Sequence, residues 1–285
     1  MSNLEVSRAQ RLDQKVVELI PELSRAYAAR LVQEGKVTIN GAVQTKTGFK
    51  LHEGDEVVVD YDVAQLAEVP EIELTVLYED DDCVVIYKPV GLLSHSKGAF
   101  NPEATVATWL RSRLKNLGGE RGGIVHRLDR ATSGVMICAK TPEALSWLQK
   151  QFSTRKVKKT YAAVIAGELE HAEAVIDMPI ERNPKAPATF RVGMQGKHAV
   201  TGYRTVASND RYTLLELKPE TGRTHQLRVH LAHFHHPIVG DVLYNGEPAD
   251  RLFLHAESLE ITIPAGHERK VFTAAIPEEF NRKVQ

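Results

Sequence analysis

The chain has 285 residues, 42% of them hydrophobic and 26% charged, with 19 Gly and 13 Pro; this excludes a disordered or fibrous chain and gives room for one or two hydrophobic cores. No apolar run approaches the ~20 residues that cross a bilayer, and the start MSNLEVSRAQRLDQ lacks a signal-peptide core, so a cytoplasmic protein without a membrane partner is expected. Cys83 and Cys138 form no CxxC pair and no disulfide framework, and the formal charge of -1 excludes a surface that is uniformly basic.

In chain order, Leu12, Val16, Leu19 and Ile20 make the stripe of an amphipathic helix stopped by Pro21. A second helix follows, with Ser24 as N-cap, Tyr27, Ala28, Leu31 and Val32 as its buried face, and Gly35 as a left-handed cap. Asn40-Gly41 between β-branched residues predicts a hairpin, and EVVVDY predicts a strand. From Arg11 to Tyr61 this pattern resembles the S-four RNA-binding module, on RLDQ, SRAYAARLVQEGKVTING and GDEVVV. The resemblance implies a small αββ fold over residues 1–62 whose second helix and following turn present Arg25, Arg30 and Lys36 to RNA.

Residues 63–73, acidic and containing Pro70, read as a linker, and a large domain is expected over 74–285. Charge is zoned across this junction: Leu51 to Asp82 holds twelve acids and no Lys or Arg, whereas Asn101 to Thr160 holds twelve Lys or Arg against four acids. The basic block suggests a surface that faces a polyanion, although a merely solvated face has the same composition. Two strands flank the acidic turn before Pro89, and Val106, Trp109, Leu110, Leu114 and Leu117 mark a helix ending at Gly118-Gly119. Thr141-Pro142 opens another helix, with Leu145, Leu148 and Phe152 on its buried face. YAAVIAGEL, YTLLELK, RLFLHA and LEITI then read as strands. Strands outnumber helices without regular alternation, so the fold class is α+β with a mixed sheet.

The chemistry concentrates in GGIVHRLDRATSG, residues 122–134. A carboxylate at Asp129 among Arg127, Arg130 and a distant arginine stays ionised and positioned, as a nucleophile or base requires. A structural ion pair has the same composition, and these residues alone leave both open. HRLDRATSG is similar to the HRLDxxTSG signature of the RluA-type pseudouridine synthases. KPVGLLSH at 88–95, KKTYAAV at 158–164, GRTHQLRVHLAHFHHPIVGDVLY at 222–244 and RLFLHAESL at 251–259 support the match in the family's order.

The resemblance implies a pseudouridine synthase fold with a largely antiparallel central sheet, and isomerisation of an RNA uridine by a monomer. Large-subunit ribosomal RNA is the expected substrate, with transfer RNA as the alternative. It makes Asp129 the catalytic carboxylate, Tyr161 the ring beneath the target base, Arg228 the cation paired bidentately with Asp129, and Leu254 a wall of the base pocket. Arg223 competes for the pairing role. Arg127 takes the base-flipping role: a stacked uridine reaches a pocket only when extruded, at a few kcal/mol, and a planar guanidinium can fill the vacated stack. An isomerisation with no redox change and no group donor implies no cofactor.

Three rivals are weaker. Five histidines lie between His225 and His236, but no HExxH-like spacing joins them to a carboxylate, so no metal is expected. HRLD reverses the last two residues of the kinase string HRDL, and the GxGxxG, DFG and APE segments are absent. A non-catalytic RNA binder would need a broken site, whereas Asp129, Tyr161 and Arg228 are all present.

Overall fold

The computed structural model describes residues 2–5, 10–21, 23, 25–61, 69–96, 103–117 and 121–285. The Ser24 cap, the Gly118-Gly119 stop and residues 63–68 of the linker lie outside them. Contacts divide the chain into two units. One takes in Met1–Glu73, His95–Arg111 and Gly118–Gly122, and the other takes in Leu74–Ser94, Ser112–Leu117 and Gly123–Gln285.

The first unit begins with strands β1 (Ser2–Glu5) and β2 (Gln10–Arg11), helices α1 (Leu12–Leu19) and α2 (Arg25–Gln33), and strands β3 (Val37–Ile39), β4 (Ala42–Val43), β5 (Lys50–Leu51) and β6 (Glu56–Val59). Four of the strands form a sheet in the order β1-β6-β3-β4, and β2 pairs with β5. The stripe Leu12, Val16, Leu19 and Ile20 packs with Ala28, Leu31 and Val32 against Val37, Val57 and Val59. Gly35 ends α2 at φ 75°, with its N–H on Val32 O and that of Lys36 on Leu31 O. These two bonds satisfy the last carbonyls of the helix as a Schellman cap. Asn40 and Gly41 both have positive φ, which suits the two-residue turn joining β3 to β4.

The second unit contributes β7 (Val76–Glu79) and β8 (Cys83–Lys88); next in the chain comes α3 (Val106–Leu110), which groups with the first unit. There follow β9 (Ser133–Ala139), α4 (Pro142–Ser153), β10 (Lys158–Ala166), β11 (Glu173–Asp177), β12 (Ile180–Arg182), β13 (Phe190–Val192), β14 (Val200–Ser208), β15 (Tyr212–Pro219), α5 (Gln226–His233), β16 (Leu254–Thr262), β17 (Arg269–Thr273) and α6 (Glu278–Lys283). The main sheet runs β11-β14-β15-β10-β16-β9-β8-β7, with β17 added on β16. Its pairs are antiparallel except β9 with β16, so the sheet is mixed and mostly antiparallel. One core packs α5 and α6 residues such as Leu227, Leu231 and Phe280 on Ala163, Ile165 and Leu215; another packs Leu148 of α4 on Val135, Ile137 and Ile261.

Two expected elements are corrected. The helix from Val106 stops at Leu110 and continues only as a 3-10 turn through Arg113. The N–H of Lys115 is instead claimed by Lys140 O, and Asn116 turns left-handed at φ 55°, so Leu114 and Leu117 are not helical. RLFLHA and LEITI are not separate strands, because β16 runs unbroken and Ser258 pairs on both sides, with Thr160 and Thr273.

Candidate active site

Asp129 sits in the loop between Ile124 and β9, and each neighbour fixes that loop from a different direction. Ser94 Oγ accepts from the N–H of Leu128 and donates to its carbonyl, at 3.1 and 2.8 Å. The N–H of Thr132 bonds back to Asp129 O at 3.0 Å. Buried Lys88 donates to the carbonyls of Pro89 and Leu92 at 2.9 and 2.8 Å and reaches that of Arg130 at 3.4 Å. Burial lowers its amine to about 8, against the pull of Asp129. Beyond the loop, Ser133 Oγ accepts from Arg251 and meets His255 Nδ1 at 2.8 Å. Gly134, at φ 119°, lies so close to the Ala256 backbone that a Cβ would overlap it. The TSG of the motif therefore docks β9 on β16 and carries Asp129 to the mouth of the sheet.

The carboxylate of Asp129 keeps 24% of its surface exposed and faces a cleft of about 160 Å³. Tyr161, Leu254, Arg127, Arg223 and Arg228 all line that cleft, so the residues singled out from the sequence of the large domain meet in one place. Tyr161 enters from β10 at a register shift between Thr160 and Tyr161; such bulges re-aim a side chain. Its phenol is pushed up by desolvation and then by the Asp129 charge, and stays protonated at neutral pH. Leu254 is buried at the start of β16, and Arg127 is exposed at the rim.

The expected bidentate pair between Arg228 and Asp129 is corrected. Arg228 Nη1 lies 3.5 Å from Asp129 Oδ2, but its fork grips buried Asp241, with Nε and Nη2 each 2.7 Å from a carboxylate oxygen. The Arg228 guanidinium is 5.1 Å from the centre of the Tyr244 ring. Arg223 is turned elsewhere, its Nε donating to His198 O at 2.9 Å. The physical reason is burial: Asp241 is 2% exposed, and a carboxylate taken out of water needs both arms of a guanidinium more than half-hydrated Asp129 does.

Sequence reasoning missed a second support. His225, the left-handed residue before α5 at φ 56°, places Nε2 3.8 Å from Asp129 Oδ2. Its Nδ1 lies 2.8 Å from Tyr244 Oη, which also accepts from the Phe190 N–H. Burial lowers the His225 imidazole, with Asp129 opposing that shift, so at neutral pH it is an uncharged partner. Asp241, Tyr244 and His225 lie inside the quoted 222–244 block, and a carboxylate within the apolar run PIVGDVLY was the available signal.

On the first unit, Arg25, Arg30 and Lys36 are exposed but each has a carboxylate partner: Asp13 at 2.9 Å, Glu34 at 2.7 Å and Asp60 at 3.7 Å. The histidine cluster disperses, with His230 on Thr201 and Met178 O and His236 on Ala166 O. Among the described residues, no three His, Cys, Asp or Glu side chains converge as metal ligands, and no helix is long and apolar enough to cross a membrane.

Comparison with known proteins agrees with this geometry. Residues 82–233 match the family described as RNA pseudouridylate synthase, and residues 10–57 match the S4 domain. The chain is 37% identical to the ribosomal large subunit pseudouridine synthase D of Escherichia coli O6:H1, covering 95% of this chain and 88% of that one. It is 38% identical to the protein of that name from Xanthomonas campestris, covering 95% and 87%. Among solved structures, human RNA pseudouridylate synthase domain containing 1 superposes with a TM-score of 0.60 at 28% identity, over 71% of this chain and 83% of that one. With an HRLD carboxylate, a tyrosine and an arginine around one cleft, and relatives matched over nearly its full length, the chain belongs to the RNA pseudouridylate synthase family, isomerases that act on RNA.

Proposed function

We propose that this protein isomerises uridine to pseudouridine in large-subunit ribosomal RNA, with Asp129 as the catalytic carboxylate. The observation that carries the reading is the half-hydrated Asp129 carboxylate, held 3.5 Å from Arg228 in a cleft walled by Tyr161 and Leu254. The reaction breaks the bond from C1′ of the ribose to N1 of the base, turns the base, and joins C1′ to C5. The C5 proton is lost and N1 gains one, so atoms and charge balance without a redox partner. Asp129 serves as nucleophile or base, with Arg228 as the cation beside it. Leu254 and Tyr161 bound the space for the flat base, and Arg127 at the rim fills the stack the uridine leaves.

The substrate assignment is supported by the names of the relatives, which are synthases of the ribosomal large subunit. A site built wholly from one chain supports action as a monomer, and RNA as substrate supports work in the cytoplasm. The S4 domain at 1–62, followed by a linker at 63–73 and a catalytic domain at 74–285, adds phosphate contacts through Arg25, Arg30 and Lys36. Asp129→Asn tests the core of the reading, because the amide keeps the shape and loses the charge. Tritium release from ribosomal RNA labelled at uridine C5 is expected to vanish while RNA affinity stays within about twofold; turnover at the wild-type rate would overturn it.

A further inference from the structure

Beside the catalytic cleft lies a second, larger one of about 540 Å³. The two share Arg127, Lys159, Tyr161 and Arg223 as a common wall, so a strand entering one continues into the other. The second cleft adds an aromatic surface. Phe152 of α4 and His126 stack with centroids 4.6 Å apart and planes 19° apart, and both line the cleft. The N–H of Ile137 donates to His126 Nε2 at 3.1 Å, and burial lowers the imidazole to about 3, so the pair is an uncharged π surface at any working pH. Arg155, exposed and left-handed at the end of α4, supplies a further rim cation.

Arg127, Arg155, Lys159 and Arg223 make no ion pair with a carboxylate among the described residues, and Lys159 donates only to Thr221 O at 3.1 Å. A third cleft shares Arg155, Lys159 and Glu220 with this one, but its other cations, Lys158 and Lys218, are already paired with Glu260 and Glu216 at 3.4 and 2.8 Å, and no aromatic ring lines it. Cations without a carboxylate partner beside a neutral aromatic surface are the combination that holds an unstacked nucleotide, base on ring and phosphate on cation, and Glu220 is the one acid in the lining.

We infer that the cleft of Phe152, His126, Arg155 and Lys159 is a subsite for the nucleotide next to the target uridine, its base stacked on the aromatic pair and its phosphate held by the two cations. This rests on the reading above that the substrate is RNA, and adds to it that the neighbour must be unstacked as well as the target. Substrate choice then falls on uridines in loops, where a neighbouring base leaves the helix at least cost.

The test uses the full chain and a hairpin of large-subunit ribosomal RNA that it binds, in three forms: intact, or abasic on the 5′ or the 3′ side of the target uridine. Equilibrium binding is read by fluorescence anisotropy. One abasic form should bind the wild type roughly 5- to 150-fold more weakly than the intact hairpin, the range of base–aromatic stacking. Phe152→Leu, which retains apolar volume without the ring, should bind the intact and that abasic form equally. Arg155→Asn, at a left-handed position asparagine tolerates, should weaken all forms by one common factor and lower the salt slope by ~0.7. The subsite is overturned if the wild type distinguishes neither abasic hairpin, or if Phe152→Leu keeps the discrimination. Tritium release on the intact hairpin separates the two readings. A flank effect without release retains the subsite and removes the ribosomal reading, and release without a flank effect does the reverse.

Discussion

Asp241 lies behind the cleft rather than on it, yet it decides which way Arg228 points. By taking the Nε and Nη2 edge at 2.7 Å, it leaves Nη1 as the only arm facing Asp129 and fixes where that arm stands. Asp241→Ala should therefore act twice. Leaving a buried guanidinium without its main counter-ion costs about 3–5 kcal/mol, visible as a lower denaturation midpoint. Displacing Arg228 by ~1 Å should cost about 100-fold in kcat with little change in KM. Asp241→Glu, which keeps the charge on a longer arm, should recover stability before it recovers kcat. His126 makes a different residue-scale prediction. Its folded value of about 3 lies below its ordinary 6.5, so the unfolded chain binds a proton that the folded one refuses. Stability is then fully present above pH 6.5 and is lost as pH falls toward 3, by up to about 1.4 kcal/mol per unit. His225, His230 and His255 are also lowered by burial and add the same sign. His126→Asn should flatten the slope of the unfolding free energy between pH 6.5 and 5 by close to one proton.

At the scale of elements, the loop that ends in Thr132-Ser133-Gly134 is set by the one parallel pair of the sheet. Gly134→Ala places a methyl group into the Ala256 backbone and imposes a left-handed φ on a residue with a Cβ. Loss of the β9–β16 registration should remove several kcal/mol and, with it, the binding of RNA at the cleft; chemical denaturation and anisotropy would read both. The same elements show what could be read from sequence alone. Asp129 stood out because HRLDRATSG matches a family signature over nine residues, and α1, the Asn40-Gly41 turn and Thr141-Pro142 were legible because local chemistry decides them. Arg228's real partner was not, since a fork has no preferred direction until Asp241, thirteen residues away, is folded beneath it. Nor were Ser94 and Lys88, whose hydrogen bonds span 34 and 42 residues. The shortened α3 has the same origin, a backbone N–H at Lys115 taken by a distant carbonyl.

Across the whole molecule, the charge zoning of the sequence is partly cancelled by folding. The acidic turn at 79–82 meets the basic block directly: Glu79 holds Lys140 at 2.8 Å and Arg113 at 3.9 Å, and Asp81 holds Lys115 at 2.8 Å. The cations left for phosphate are therefore fewer than the twelve counted between Asn101 and Thr160, and three of them, Arg127, Arg155 and Lys159, line one cleft with the neighbouring Arg223. Arg30 and Lys36 on the first unit are held only by exposed pairs, which are worth about 0–1 kcal/mol each and can be exchanged for phosphate at little cost, while exposed Arg25 holds buried Asp13, which Arg11 also pairs. Deleting residues 1–62 should consequently lower the slope of log affinity against log salt by roughly two to three, at 0.7–0.9 per lost contact. Turnover at saturating RNA should stay within about twofold, because every group around Asp129 belongs to the second unit. The first unit also includes His95–Arg111, so amide exchange in that segment should accelerate in the truncated protein while β9, β10 and β16 keep their protection. An unchanged salt slope would show that the three N-terminal cations do not touch RNA, and a truncated chain inactive at saturation would show that the reaction centre depends on the first unit.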